Sequence, residues 1–195
     1  MSGREIDQAY LLRLWAGWKL PAYSSGVGAD GRPHADLPRA RGKSLFETIE
    51  QSGLPDEQTY VLWRGARTFA ILNVFPYTSG HLMVLPLVAA ASIHDLDEGT
   101  HTELWQSVRT ACRAVEDAFG PQGMNVGINE GTAGGGSVPD HLHVHVVPRW
   151  SADTNFMTAV AETRVLPETL ADTWRRLRSA WPETAPPGSD APPPG

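Results

Sequence analysis

Cys112 is the only cysteine in this chain of 195 residues, so no internal disulfide can form and no metal site built on several thiolates can assemble. No apolar run approaches the roughly 20 residues needed to span a bilayer, which argues against a membrane protein. Positive charge is also short. Sixteen Lys and Arg against 22 Asp and Glu leave a net charge of −6, so attraction of the whole molecule to nucleic acid is not expected. A local basic pocket for a phosphorylated small molecule remains open to it. Lysine is nearly missing from the basic set, which reads as genomic bias rather than chemistry. The opening MSGREIDQAY has neither the basic start nor the apolar stretch of a signal peptide, so the expected compartment is the cytoplasm.

What is present is the composition of a folded globular chain, 41% hydrophobic and 19% charged, at a length that suits one domain with a short appendage. Residues 6–18 place Tyr10, Leu11, Leu14, Trp15 and Trp18 at three- and four-residue spacings, which predicts an amphipathic helix. Residues 21–42, rich in Gly, Pro and small polar side chains, predict a long loop. SLFETIEQSG, residues 44–53, predicts a short helix with Ser44 as its cap and Glu47 completing a capping box. From Tyr60 the texture changes to YVLWRG, TFAILNVF and HLMVLPL, three β-rich runs in succession that suggest an antiparallel meander.

A helix over residues 100–120 follows. It has Leu104, Val108, Ala111, Cys112, Val115 and Phe119 on one face, with Gly120 and Pro121 stopping it. MNVGIN and HLHVHVVP read as two further strands, joined by EGTAGGGSVPD. Residues 167–181 suit a closing helix with Pro167 in its first turn. The Pro-rich residues 182–195 are expected to be disordered. The order of elements predicts an α+β domain over residues 44–181, preceded by a helix and long loop over 1–43.

The stretch that carries chemistry is DHLHVHVVPRW, residues 140–150. Side chains alternate along a strand, so His141, His143 and His145 share one face at roughly 6.6 Å intervals while Leu142, Val144 and Val146 face the core. Three readings fit that spacing: surface histidines on a polar strand face, two imidazoles sharing a zinc ion, or one imidazole acting as a covalent catalyst with its neighbours orienting it. GTAGGGS, residues 131–137, weighs for the third. It sets small residues and backbone N–H donors directly before the histidines, the equipment that attack at phosphorus requires. Asp140 points to the other face and makes a poor metal ligand. His34, His94 and His101 carry no assigned role, and Cys112 is expected on a buried face. Phe69, Leu72 and Val74 suit core or nucleoside-pocket wall.

HLHVHVV, residues 141–147, resembles the His-φ-His-φ-His-φ-φ motif, with φ apolar, of the histidine triad (HIT) superfamily of nucleotide hydrolases and transferases. The resemblance extends to NVFPYTSGHLMVLP, residues 73–86, which is similar to the family's ribose-binding strand and turn with an additional histidine at His81. Asn129 and SLFETIEQSG also fall where the family places them, so the match covers about residues 44–150. The resemblance implies a HIT-like fold with a five-stranded antiparallel sheet, a homodimer or higher homo-oligomer, and a nucleoside monophosphate moiety bound across the sheet. It implies His143 as the nucleophile that attacks the α-phosphorus. It further implies that His145 and the loop of Gly135, Gly136 and Ser137 hold phosphoryl oxygens, with His141 and His81 fixing the tautomer and orientation of His143. Asn73 would bind ribose, and Asn129 would lie near the phosphates.

Many members carry a Cys-x-x-Cys pair for structural zinc where this chain has Ser44 to Glu47, so no metal is expected except a divalent counter-ion of the substrate. The usual glutamine, and the serine or threonine after it, four and three residues before the first histidine, are replaced by Ser137 and Val138 in a glycine loop one residue longer. These departures, with SADTNFM after Trp150, resemble the bacterial triad-type diadenosine tetraphosphate phosphorylases. In these, inorganic phosphate rather than water takes the adenylyl group. Arg149 is then a candidate for the second anion site, and Trp150 either covers the base or belongs to the core. The alternatives are a HIT-type hydrolase or phosphoramidase and, from a different class, a nucleotide-binding module without turnover.

Overall fold

The short apolar runs all become strands, in the order expected: β1 (Val61–Arg64), β2 (Thr68–Leu72), β3 (Leu82–Pro86), β4 (Gly123–Ile128) and β5 (Val144–Arg149). They form one antiparallel sheet ordered β1-β2-β3-β5-β4. The computed structural model describes residues 42–135, 138–153 and 167–182. All of these but Ala152 and Asp153 belong to one compact unit. The predicted helix over 6–18, the loop up to residue 41, most of SADTNFM and the tail beyond residue 182 lie outside the described residues.

Residue parity assigns the two faces of the sheet. Even-numbered Ala70, Leu72, Leu82, Val84, Val144 and Val146 are buried on the face covered by helix α3 (Glu98–Phe119), whose Leu104, Val108, Ala111, Ala114 and Val115 are also buried. Odd-numbered Phe69, Ile71, Met83 and Leu85 face the other way and form a cluster with Val61, Phe46 and Ile49. The last two belong to the short helix α1 (Leu45–Glu50).

Helix α1 has the predicted capping box: the Ser44 hydroxyl accepts from the Glu47 amide and the Glu47 carboxylate accepts from the Ser44 amide. The carboxylate sits below its ordinary pKa despite burial, because it accepts from the Ser44 and Ala89 amides. A one-turn helix α2 (Asp56–Thr59) was too short to show a period in the sequence. Helix α3 begins two residues earlier than predicted, at Glu98, because Asp97 caps it through the Thr100 amide; it stops at Gly120 in the left-handed region as expected. Cys112 is only half-buried, a correction to its expected place, since Ala111, Ala114 and Val115 take the core-facing positions. The closing helix α4 (Leu170–Ala180) starts later than predicted. Thr169, not Pro167, begins it, because the Thr169 side chain accepts from the Asp172 amide. Helix α4 packs on α3 and β1, with Trp174 Nε1 donating to the Val61 carbonyl at 2.8 Å. No helix among the described residues is long and apolar enough to cross a membrane.

Candidate active site

The site lies on the odd-numbered face, and the strand register brings its parts together. Met83 pairs with His145 on one side of β5 and Gly127 pairs with it on the other. The β4–β5 register ends at Ile128 opposite Val144, and continuing it by one residue sets Asn129 opposite His143. At the β2–β3 end, the Asn73 amide donates to the His81 carbonyl at 3.0 Å, so Asn73 and His81 are neighbours across the hairpin. Gly127 has no Cβ, and one built there meets nothing within 4 Å, so the sheet beside His145 is open to a ligand.

The strand carrying all three histidines is shorter than expected, and His145 alone lies within it. The β3–β5 ladder ends at Val84 and Val144 because the next partner, Pro86, has no N–H to give. Its carbonyl accepts instead from His141 Nε2 at 2.9 Å. His141 and His143 therefore sit in an extended lead-in, tied down at the Leu142 amide, which donates to the Ala90 carbonyl at 2.7 Å. The four histidines are all buried, at 0% exposure for His81 and His141, 5% for His143 and 9% for His145.

Their hydrogen bonds assign the protons. His143 Nδ1 donates to the His141 main-chain carbonyl at 2.8 Å, so a neutral His143 carries its lone pair on Nε2. The Tyr77 amide donates to His81 Nδ1 at 3.0 Å, which puts the His81 proton on Nε2. That proton is donated to His145 Nδ1 at 2.9 Å, and His145 in turn keeps its own on Nε2. His145 stays neutral because burial, reinforced by its neighbour His143, lowers its pKa to about 4. Burial likewise lowers the pKa of His141. The result is a His143 ring tied at Nδ1 to a carbonyl, beside a neutral His145 that offers an N–H at Nε2.

The HIT domain model matches residues 56–152. Over 171 residues the chain is 39% identical to AP-4-A phosphorylase of Mycobacterium tuberculosis, a match covering 88% of this chain and 85% of the relative. The chain belongs to the HIT family. A bis(5'-nucleosyl)-tetraphosphatase (asymmetrical) of Schizosaccharomyces pombe is 37% identical over 93 residues, 48% of this chain and 50% of that one. Among solved structures, a zinc-bound histidine triad family protein of Mycobacterium smegmatis is 26% identical with a TM-score of 0.58, covering 71% of this chain and 92% of its own.

Within this HIT frame, the contacts of His143 differ from those that the resemblance implied. His141 meets His143 through its backbone carbonyl, while its ring turns to Pro86 and to Ser44. The short bond from His81 runs to His145. Asn73 starts the turn after β2, its side-chain oxygen accepting from the Phe75 amide at 2.9 Å while its amide group lies over the His81 ring. Arg149 shares the site face but is two strand repeats from His145, roughly 13 Å, and its Nη1 donates to Asn125 Oδ1 at 2.6 Å. Trp150 is half-buried just past β5. Gly135, at φ +87, belongs to the described part of the glycine loop; Gly136 and Ser137 lie outside the described residues. Among the described residues no group of three or more His, Cys, Asp or Glu is arranged to hold a metal ion.

Two contributors escaped the sequence reading. Tyr77 lies against His81 with ring centroids 4.5 Å apart and stacks over His145 at 6.1 Å. Phe46 packs its ring 5.5 Å from both His141 and His143. Their only sequence signal was an aromatic residue next to a motif already noted.

Proposed function

We propose that this protein cleaves dinucleoside polyphosphates through a nucleotidyl-histidine intermediate, and that its reaction is phosphorolysis of diadenosine tetraphosphate to ADP and ATP. The observation that carries the reading is the bond from His143 Nδ1 to the His141 carbonyl, which leaves the His143 Nε2 lone pair for attack. The 39% identity to an AP-4-A phosphorylase supports the choice of substrate.

In the proposed reaction His143 Nε2 bonds to the α-phosphorus and the bond from that phosphorus to the bridging oxygen breaks, releasing ATP. The ring then carries a positive charge, which the His141 carbonyl stabilises through the Nδ1 proton. An oxygen of inorganic phosphate attacks the same phosphorus, the P–N bond breaks, and ADP leaves with His143 neutral again. One difficult displacement becomes two easier ones. His145 Nε2–H is placed to donate to a phosphoryl oxygen without bringing a charge of its own. Asn129, opposite His143, is the neighbour assigned to the phosphates, and Asn73 is assigned to the ribose.

No step calls on a metal; a divalent ion enters only as a counter-ion of the polyphosphate. Arg149 serves as the second anion site if the polyphosphate runs along β5. The cytoplasm, where nucleotides and phosphate are at hand, is the compartment assigned. The end strand β4, largely exposed with Val126 at 42%, is assigned as the surface for pairing into a homodimer or higher homo-oligomer.

Product analysis with and without phosphate tests the reaction. ADP and ATP formed only with phosphate supports phosphorolysis; AMP release that ignores phosphate makes the protein a hydrolase, as the name of the S. pombe relative would suggest. His143→Ala is expected to abolish turnover and spare nucleotide binding. Turnover that persists in this variant rejects the mechanism, and binding without turnover in the unaltered protein makes it a binding module.

A further inference from the structure

One buried hydroxyl is wired to the histidines from a distant part of the chain. Ser44, only 4% exposed, places its Oγ 2.6 Å from His141 Nδ1. Each proton in this cluster has one assignment. The Pro86 carbonyl can only accept, so His141 Nε2 carries the proton it donates there. The neutral ring then offers a lone pair at Nδ1, and the Ser44 hydroxyl is its donor. Ser44 Oγ accepts at the same time from the Glu47 amide at 3.1 Å, so the hydroxyl is held by the helix cap itself.

We propose that Ser44 is a positioning residue for the nucleophile: together with the Pro86 carbonyl it clamps both ring nitrogens of His141, and so fixes the His141 carbonyl that keeps the proton of His143 on Nδ1. This rests on the reading of His143 as nucleophile. The clamp matters because the β3–β5 ladder stops at Val84 and Val144, so β3 gives His141 and His143 no ladder bond to define their backbone. The main-chain ties nearby are the Leu142 amide to Ala90 at 2.7 Å and a long bond of 3.4 Å from the His141 amide to Val138. Ring and carbonyl of His141 share one Cα, so holding the ring at both ends holds the peptide. The demand is chemical as well: imidazole in water prefers its proton on Nε2, which would present an N–H rather than a lone pair to phosphorus. The same turn of α1 supplies Phe46, whose ring meets His141 and His143, so the start of this helix braces both residues.

The experiment compares the full chain with Ser44→Ala, Ser44→Gly, Ser44→Thr and Trp174→Phe. Histidine nitrogen NMR reports tautomers, and steady-state kinetics on diadenosine tetraphosphate with phosphate reports turnover. Glycine is tolerated at a helix N-cap at little cost, so Ser44→Gly removes the hydroxyl while leaving the helix start serviceable. In the unaltered protein at neutral pH, His143 is expected as the Nδ1–H form and His141 as the Nε2–H form. Removing the hydroxyl is expected to mix the His143 tautomers and lower kcat on the order of tenfold with KM little changed, and threonine is expected to restore both. Trp174→Phe, which removes the bond to Val61 far from the site, lowers Tm without altering tautomers or kcat. The proposal is overturned if His143 in the unaltered protein is the Nε2–H form, if Ser44→Gly keeps both tautomers and kcat, or if Trp174→Phe reproduces the loss. Should the unaltered protein turn over no dinucleoside polyphosphate, the substrate reading fails while the tautomers still decide the role of Ser44.

Discussion

His81 Nε2 lies 2.9 Å from His145 Nδ1, joining residues 64 positions apart in the chain. The bond runs in one direction only, since the Tyr77 amide occupies His81 Nδ1 and leaves Nε2 as the donor. In the proposed mechanism His81→Ala therefore unfixes the His145 ring, so that its Nε2–H is no longer held toward the phosphoryl oxygens. Loss of such a donor costs about a hundredfold in rate. Kinetics on the purified variant check this, and a rate within threefold of the unaltered protein would show that His145 does not depend on His81.

The neutral histidines make stability depend on pH. Burial, with His143 as neighbour, takes His145 from its ordinary 6.5 to about 4 in the folded protein, and burial moves His141 in the same direction. Between those two values the unfolded chain binds a proton at His145 that the folded one refuses, so stability is full above pH 6.5 and declines as pH falls toward 4. The loss attributable to His145 is about 2 kcal/mol between pH 7 and pH 5, rising to about 3 kcal/mol below pH 4. Urea unfolding at pH 7 and pH 5 should show it, and His145→Gln should flatten the slope. An unaltered slope in that variant assigns the effect elsewhere.

Much of this arrangement was readable from adjacent letters. Ser44 and Glu47 announced their capping box, Gly120 its helix stop, and the alternation in residues 141–147 its two faces, because each signal is local: a cap, a left-handed residue, a period of two. What escaped depends on distant partners. That the ladder would end at Val144 follows from Pro86 lying beside β5, which no reading of HLHVHVV alone contains. The His141 ring turns away because Ser44, 97 positions earlier, is folded against it. The misplaced start of α4 has a local cause: Pro167 suits a first turn, but Thr169 supplies the side-chain acceptor that a helix start requires.

Gly80 sets the entry to His81. Its φ is +83, and a Cβ there would stand 2.9 Å from the Phe119 ring and 3.3 Å from Pro148. Gly80→Ala thus combines a left-handed backbone penalty of about 1–2 kcal/mol with a collision against the end of α3. Tm should fall, and because the next residue is His81, the rate should fall too, even at temperatures where the variant is fully folded. Unfolding curves and kinetics at low temperature check both parts; a folded variant with full rate would mean that His81 finds its place without Gly80.

The glycine loop makes the opposite case, in which stability is spared and function is not. Gly134 sits so close to the Glu130 backbone that an added Cβ would lie 2.3 Å from its carbonyl oxygen. Glu130 cannot readily yield, because its carboxylate accepts from the Ile93 amide at 2.6 Å and from the Ser92 hydroxyl at 3.2 Å. In Gly134→Ala the loop itself must therefore move. Residues 130–135 are exposed and contribute little to the core, so unfolding free energy should change by less than about 1 kcal/mol. The backbone donors that precede His141 are displaced, however, and KM for the dinucleotide should rise at least severalfold. Isothermal titration with a non-hydrolysable dinucleoside polyphosphate, set beside urea unfolding, separates the two effects. Unchanged affinity in a folded Gly134→Ala protein would remove the loop from the phosphate site.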